Sequence, residues 1–558
     1  MSRENIATVA IILLLPLLLL WPLPLVFSTE LLSHRSQEAP AHIWGLWAAW
    51  HEGSPLVIDT SLVTWPEQVS FVLIDPINIL PYMIGHVIAG PAAGYNLLLY
   101  FSHVLLGAAG VLLARRVGGD PVIGALAGQL CPSFIASPAT GMTEEFGVGW
   151  VALFCVALLS FLESRRAVTG ILATVLLAVC WYAGPYNGVW AGLIGLFIAV
   201  GSLRDWRRLG RAAVVGITGA VLTLPLANAV LRERHQDLPG HAQPGQLPDL
   251  TIPVVDSYRG GLPFGADILD VLVPVQLTGS QAAVSHTAYV GLLSVVLAAI
   301  GLRRWRAGWP WMVGALAFAV LSIGPYLYLH GELQTYDSRP LMAPGAALLL
   351  LLSPLGQITR WNRAGAVAHL LLVPLIARAV PSRWGARIAV GGILLIDALV
   401  LAPLSWPLSS YPTPSPAVFE KMDQPGALLE LPLVHTTQPP EGMWRDGNAL
   451  AQTIHGRPFA GGLMQTPTSR FGRSAHNRVQ ALMHGSPFSS GFRDQMLEEG
   501  FSYLAIYPRI KRVDDALDRR LRICFGEPLW QSPLIWLYDL RAVSGGCFLT
   551  APERETPE

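Results

Sequence analysis

The stretch from Glu38 to Asp75 gathers Glu38, His42, Glu52, Asp59, Glu67 and Asp75, interleaved with Trp44, Trp47, Trp50 and Trp65. A carboxylate held among aromatic rings beside an apolar span can take a proton from a hydroxyl or orient it. Most of these acids read as solvated groups at a membrane interface, with the tryptophans as an aromatic belt. Glu38 and Asp75 stand apart. Glu38 closely follows the nearly uncharged run from Ala7 to Ser28, and Asp75-Pro76 opens the apolar stretch Ile77 to Ile84, where an ionised group needs a partner. Glu38 is therefore assigned the chemical role, and His42 and Asp75 are assigned to substrate binding.

A second acidic point, Thr143-Glu144-Glu145, precedes the apolar span that begins near Phe146. Glu144 fits both a helix-capping acid and a substrate-binding carboxylate opening on the same membrane face as the first loop. Arg360 and Arg363, in Thr359-Arg360-Trp361-Asn362-Arg363, would be i, i+3 neighbours on a helix and could clamp a phosphate; with the opposite topology they are a cytoplasmic anchor. No H-x-x-x-H or C-x-x-C pairing speaks for a transition-metal cage. A hard divalent cation, Mg²⁺ or Mn²⁺, held by one carboxylate and a substrate phosphate leaves almost no sequence signature and stays open. Gly-rich phosphate loops, a nucleophile elbow and kinase motifs are absent, so the energy for any group transfer must reside in the substrate. A lipid-phosphate-linked donor suits a membrane-embedded site.

The elements that must position these groups follow from composition. Of 558 residues, 52% are hydrophobic and 13% charged, with a mean hydropathy of +0.46, whereas soluble domains carry about 25% charged residues. The chain is thus an α-helical polytopic membrane protein. Lys and Arg (37) balance Asp and Glu (37), and nothing points to nucleic acid. Cys131, Cys155 and Cys180 fall in apolar segments and pack as small hydrophobes; Cys524 and Cys547 can pair if the tail faces an oxidising compartment.

Apolar segments lie near 7–29, 92–114, 121–137, 146–162, 168–184, 187–203, 212–230, 286–302, 309–329, 343–358, 364–380 and 388–405. Basic loops (Arg115-Arg116, Arg165-Arg166, Arg204 to Arg211, Arg303 to Arg306), if cytoplasmic, put the amino terminus inside and the Glu38 loop outside. The segment 343–358, bounded by prolines, reads as re-entrant or interfacial; that gives about eleven spans and an outer tail, whereas a crossing there would move the tail inside. The expected organisation is a transmembrane domain over 1–405, with outer loops 30–80 and 231–285, and a small α/β domain over 406–558 with strands near 427–431, 503–507 and 535–538.

The arrangement Glu38-x5-Trp44-x-Leu46-Trp47, followed by Ser54-Pro55-Leu56, Thr64-Trp65-Pro66-Glu67 and Asp75-Pro76-Ile77-Asn78, resembles a poorly characterised prokaryotic branch of the GT-C glycosyltransferases. Further short elements match along nearly the whole chain: Gly94-Tyr95-Asn96-Leu97-Leu98, Gly141-x-x-Glu144, Ala288-Tyr289-Val290-Gly291-Leu292-Leu293, Gly324-Pro325-Tyr326, Leu429-Glu430-Leu431-Pro432 and Gln452 to Pro458. The resemblance implies a GT-C-like fold in a prokaryotic cytoplasmic membrane. It also implies a polyprenyl-phosphate-linked sugar donor, a glycan, lipid or protein acceptor, and an acidic residue of the first outer loop acting at that acceptor. That role maps onto Glu38, which stands where the family pattern has Asp; Gln37 replaces the preceding Gly, and Ala48 the second Trp of the pair. A transporter or flippase of lipid-linked saccharide, or a non-catalytic assembly protein, is the competing class.

Overall fold

The computed structural model describes residues 3–34, 38–135, 140–203, 205–234, 266–274, 288–330, 332–337, 339–345, 360–381, 383–402, 406–431, 447–461, 474, 477, 491–507, 515–533 and 535–542. Helices of eight or more residues are α1 (Arg3–Leu19), α2 (Ala39–His51), α3 (Ile79–Arg116), α4 (Pro121–Gln129), α5 (Val148–Ser164), α6 (Ala167–Tyr182), α7 (Pro185–Gly201), α8 (Trp206–Arg234), α9 (Leu292–Arg304), α10 (Trp309–Ser322), α11 (Ala364–Ala379), α12 (Trp384–Leu399), α13 (Gly447–His455), α14 (Gly491–Glu498) and α15 (Asp515–Phe525). The strands that matter are β1 (Val57–Thr60), β2 (Val69–Val72), β3 (Ala427–Leu431), β4 (Phe501–Ile506), β5 (Trp530–Gln531) and β6 (Trp536–Asp539).

The helices follow the apolar runs except where proline intervenes. The first run splits after α1 into a turn and the short helix Leu23–Val26, because Pro22 has no N–H to continue the ladder. The run 121–137 gives α4 and then a single turn, Pro132–Ile135, since Pro132 pushes Cys131 away from helical geometry. The run 92–114 belongs to the longer α3, which kinks at Ala89 and Gly90 ahead of Pro91. Among the described residues, Pro76–Arg116, Thr143–Ser164 and Trp206–Val230 are long and apolar enough to cross a membrane, whereas Ala167–Tyr182 and Pro185–Gly201 are shorter apolar helices. The sequence-based count of about eleven spans thus includes several helices below that length. The segment 343–358 falls mostly outside the described residues, as does the loop 231–285.

Two compact units form. The first comprises Met1–Phe27, Ile74–Tyr82 and Tyr95–Ser410. Its centre is α11, apolar on every side and buried at every residue except Arg378, as a helix without a polar face must be. It packs against α4, α9 and α10. At Gly301 of α9 a Cβ would lie 1.9 Å from the Leu375 carbonyl oxygen, so only glycine allows this backbone-to-backbone crossing. By contrast α8 leaves Val214, Ile217, Val221 and Leu224 exposed, a face suited to lipid.

An ionic staple ties α1, α4 and α12. Asp120 Oδ1 caps α4 by accepting from Val122 N (2.9 Å) and Ile123 N (3.2 Å), while Oδ2 accepts from Arg387 Nε at 2.7 Å. Arg387 Nη2 also donates to Glu4, and its guanidinium lies 4.8 Å from the centre of the Trp384 ring.

The second unit comprises Ser28–Leu73, Met83–Gly94 and Tyr411–Glu558, so the first loop and the tail fold together. Its mixed sheet has the order β5-β6-β4-β3, with β3 and β4 parallel and β4 and β6 antiparallel. Every residue of β4 is buried, as expected of a central strand covered on both faces. Leu429, Phe501, Leu504, Leu521, Phe525 and Tyr538 share one core. The loop is fastened by backbone and buried amide bonds. Thr64 N donates to Gly461 O, Phe459 N to Leu62 O and Trp65 N to Phe459 O, at 3.0, 2.9 and 3.1 Å. Gln452, fully buried, accepts from the Trp44 indole and donates to Leu62 O and Arg457 O at 2.6 and 2.7 Å. Cys131, Cys155 and Cys180 are buried free thiols, and Cys524 is disulfide-bonded.

Candidate active site

In the first unit, three short segments bring polar groups together. Asp75 precedes the turn Pro76–Asn78 that opens α3; its Oδ2 accepts from Asn78 Nδ2 (3.0 Å) and from the Thr143 hydroxyl, and Asn78 also donates to Thr143 O at 3.0 Å. Thr143 begins the turn Thr143–Gly147 that leads into α5. Asn187, near the start of α7, fixes that turn by donating to Glu144 O at 2.8 Å.

The third segment is the turn Trp361–Arg363 at the head of α11. Arg363 Nε donates to Glu145 Oε1 at 3.0 Å and Nη2 to Glu144 Oε1 at 3.1 Å, while Thr140 Oγ1 donates to Glu145 Oε2 at 3.0 Å. The guanidinium lies 4.3 Å from the centre of the Tyr186 ring. The side chains of Arg363, Glu144 and Glu145 are 8%, 7% and 8% exposed, so these pairs are shielded from water and from salt. Arg363 Nη1, also buried, has no hydrogen-bond partner among the described residues.

The structure therefore brings Asp75, Glu144 and Arg363 together and adds Glu145, Thr143, Asn78, Tyr186 and Asn187. Arg360 stands at the N-cap position of the Trp361–Arg363 turn, half-buried. Nε and Nη2 of Arg363 are engaged by carboxylates, and Arg360 stands three residues before it at the head of the same turn. Sequence reasoning passed over Asn78 and Asn187, although a lone amide in an apolar stretch is itself a signal, since it must find partners when buried. Among the described residues, no group of three His, Cys, Asp or Glu is placed to hold a metal ion.

Glu38 and His42 lie in the second unit. Glu38 occupies the N-cap position of α2; its carbonyl accepts from Ala41 N and His42 N at 3.1 and 3.2 Å. Its carboxylate makes no cap and instead faces His42 Nε2, one turn on, at 4.0 Å. With side chains 18% and 10% exposed, the pair is partly accessible. A carboxylate beside an imidazole can relay a proton.

No family model matches the chain, and no curated protein does. Among solved structures, it is similar to the arabinofuranosyltransferase AftD from Mycobacteria: 16% identity, TM-score 0.55, covering 98% of this chain and 40% of that one. A mutant form of that protein matches in two classes, with TM-scores of 0.52 and 0.50, again at 16% identity, covering 97% and 98% of this chain and 42% of each. The chain thus spans about two fifths of the length of these structures. The likeness is one of fold alone, over nearly the whole of this chain.

Proposed function

We propose that this chain is an integral-membrane glycosyltransferase of the GT-C type, moving a sugar from a polyprenyl-phosphate-linked donor to a glycan, lipid or protein acceptor at the extracytoplasmic face. The observation that carries the reading is the buried constellation of Asp75, Glu144, Glu145 and Arg363, set in a fold similar to that of an arabinofuranosyltransferase over nearly the whole chain. In this reading the membrane is the prokaryotic cytoplasmic one, the amino terminus is cytoplasmic and the tail extracytoplasmic. A carboxyl-terminal tag labelled only from the cytoplasmic side would overturn that orientation.

The acceptor oxygen attacks the anomeric carbon, its proton passes to a carboxylate, and the bond to the phosphate oxygen breaks with the electron pair remaining on the lipid phosphate. The family resemblance gives the proton-accepting role to Glu38, with His42 beside it. In the first unit, Arg363 is assigned to substrate binding with Asp75 and Glu144, and Glu144 and Glu145 hold its guanidinium in place. A divalent cation arriving with the substrate would be held by Asp75 together with substrate phosphate oxygens, and would supply positive charge to the leaving phosphate. Glu38 and Arg363 lie in different units, and each assignment has its own test.

Single-turnover transfer from a radiolabelled polyprenyl-phosphate sugar is the measurement. Glu38→Gln is expected to slow transfer by about 10²- to 10⁴-fold with insertion and folding intact. An undiminished rate in that variant removes Glu38 from the mechanism.

A further inference from the structure

Helix ends meet at one face of the first unit. Arg387 joins the starts of α1, α4 and α12, and Asp120 N donates to Ala377 O at 3.1 Å, which brings in the end of α11. Arg304, at the end of α9, donates to Ala379 O, and a Cβ at Gly118, just past α3, would lie 3.1 Å from Arg378 Nη2. Arg116 of α3 pairs with Glu163 of α5, and Arg211, near the start of α8, donates to Leu162 O at 2.9 Å.

Arginine dominates this face, with acid interleaved: Arg116 pairs with Glu163, Arg208 with Asp205, and Arg387 with Asp120 and Glu4. One corner differs. It is built from the end of α9, the turn Arg306–Gly308, the start of α10 and the end of α11, and it carries Arg303, Arg304, Arg306 and Arg378. None of these elements contains an Asp or Glu. Asp120, whose N–H reaches the end of α11, has its carboxylate oxygens engaged by the backbone of α4 and by Arg387. Two of the four guanidiniums are held in place without being neutralised, Arg304 by the Ala379 carbonyl and Arg378 at 5.5 Å from the centre of the Trp305 ring. Arg303 and Arg306 are exposed. Like charges gathered without an acid repel one another, and a bound anion relieves that repulsion.

Apolar surface runs from this corner along two helices. On α9, Arg303 shares a stripe with exposed Ile300, Val296 and Leu292, spaced three or four residues apart. On α10, exposed Trp309 is followed four and seven residues on by exposed Val313 and Leu316. A cationic rim above two apolar stripes, with an indole at the junction, matches an amphiphile that joins an anionic headgroup to hydrocarbon chains. A free anion would engage the rim and leave both stripes unused.

We propose that this corner is a binding site for an anionic diacyl phospholipid of the adjoining leaflet. Its phosphodiester lies among Arg303, Arg304, Arg306 and Arg378, and its acyl chains lie along α9 and α10. By neutralising the arginines where α9, α10 and α11 meet, the lipid braces α11, the helix whose opposite end follows the Trp361–Arg363 turn.

The test is native mass spectrometry of the full-length protein in detergent, with phosphatidylglycerol as the probe and phosphatidylcholine of the same chains as the reference. Wild type is expected to retain phosphatidylglycerol in preference to phosphatidylcholine, and Arg303→Gln/Arg306→Gln/Arg378→Gln to bind it about tenfold or more weakly. Arg165→Gln/Arg166→Gln/Arg207→Gln removes the same charge from exposed arginines outside the corner and is expected to keep the preference. An equal loss in both triple variants reduces the effect to a general attraction of charge and overturns the site, as does equal retention of the two lipids by wild type. Displacement of the lipid by millimolar inorganic phosphate overturns the lipid assignment. Arg303→Gln/Arg306→Gln, which keeps the contact of Arg378 with Trp305, carries the same test with a proportionately smaller loss should the triple variant fail to fold.

Discussion

Arg363 and Arg387 invite comparison because each stands just before or within the first turn of a helix of the first unit, faces two carboxylates and lies over an aromatic ring. They differ in what their acids also do. Asp120 spends one oxygen on the backbone of α4 and the other on Arg387, while Glu4 is half-exposed, at 42%. That arrangement is a clasp between helix ends. Around Arg363 both glutamates are buried, a third acid is held nearby through Thr143, and the guanidinium's buried Nη1 has no hydrogen-bond partner among the described residues. The same pairing of charges marks a fastening where the buried acid also caps a helix, and a candidate site where both acids are buried and a donor lacks a partner among the described residues.

The sharpest break of the comparison is Arg363→Met. It removes the guanidinium that Glu144 and Glu145 bind, which costs about 3–5 kcal/mol, and transfer should vanish. Thermal unfolding in detergent and the single-turnover assay read the two effects separately. Arg363→Met protein that is as stable as wild type would show that the cluster is not the buried ion pair described.

A buried acid with no arginine partner among the described residues supplies the next test. Glu430, in β3, accepts from Tyr507 OH at 2.8 Å, and burial raises its pKa from the ordinary 4.5 to about 7. Between those values the folded protein binds more protons than the unfolded chain, so the contribution is complete below about pH 4.5 and lost as pH rises through about 7. The full swing is about 3 kcal/mol. His455 works in the opposite sense, because burial lowers its pKa from 6.5 to about 3, so stability gained through it rises with pH over that interval. The decline should accordingly be cleanest above about pH 6.5, and Glu430→Gln should flatten it; an unchanged pH profile in that variant assigns the decline elsewhere.

Arg387→Met should cost less, about 2 kcal/mol, because Asp120 keeps its two backbone donors and Glu4 turns to solvent. Transfer per folded molecule should not change, and a selective loss of transfer would erase the distinction between the two arginines. Smallest of all, Asp120→Asn retains a capping oxygen and weakens only the ion pair, by about 1 kcal/mol, in the same unfolding assay.

Much of the helical layout was legible, because a lipid-crossing or fully buried helix writes itself as an uninterrupted apolar run, and α5, α6, α7 and α11 begin and end within a few residues of those runs. The breaks at Pro22 and Pro132 were legible in principle too, since proline removes a backbone donor whatever the hydropathy. Asp75 with Asn78 is a local pattern, three residues apart. The pairing of Arg363 with Glu144 and Glu145 was not legible: some 219 and 218 residues separate the partners, and only packing brings them together. Glu144 was equally readable as a helix-capping acid, and nothing local decides between a dipole and a distant guanidinium. The contacts of His369 were hidden for a similar reason, because its partners are main-chain oxygens that carry no sequence signature.

The bond from Trp44 to Gln452 joins residues 408 apart. At a synthesis rate of about 5–20 residues per second, α2 waits roughly 20–80 s before the amide that receives its indole exists. During that interval the amino-terminal loop has neither Gln452 nor the strands of the tail sheet to rest on. The second unit is thus completed only late in translation, and until then the nascent first loop lacks the partners it has in the folded unit.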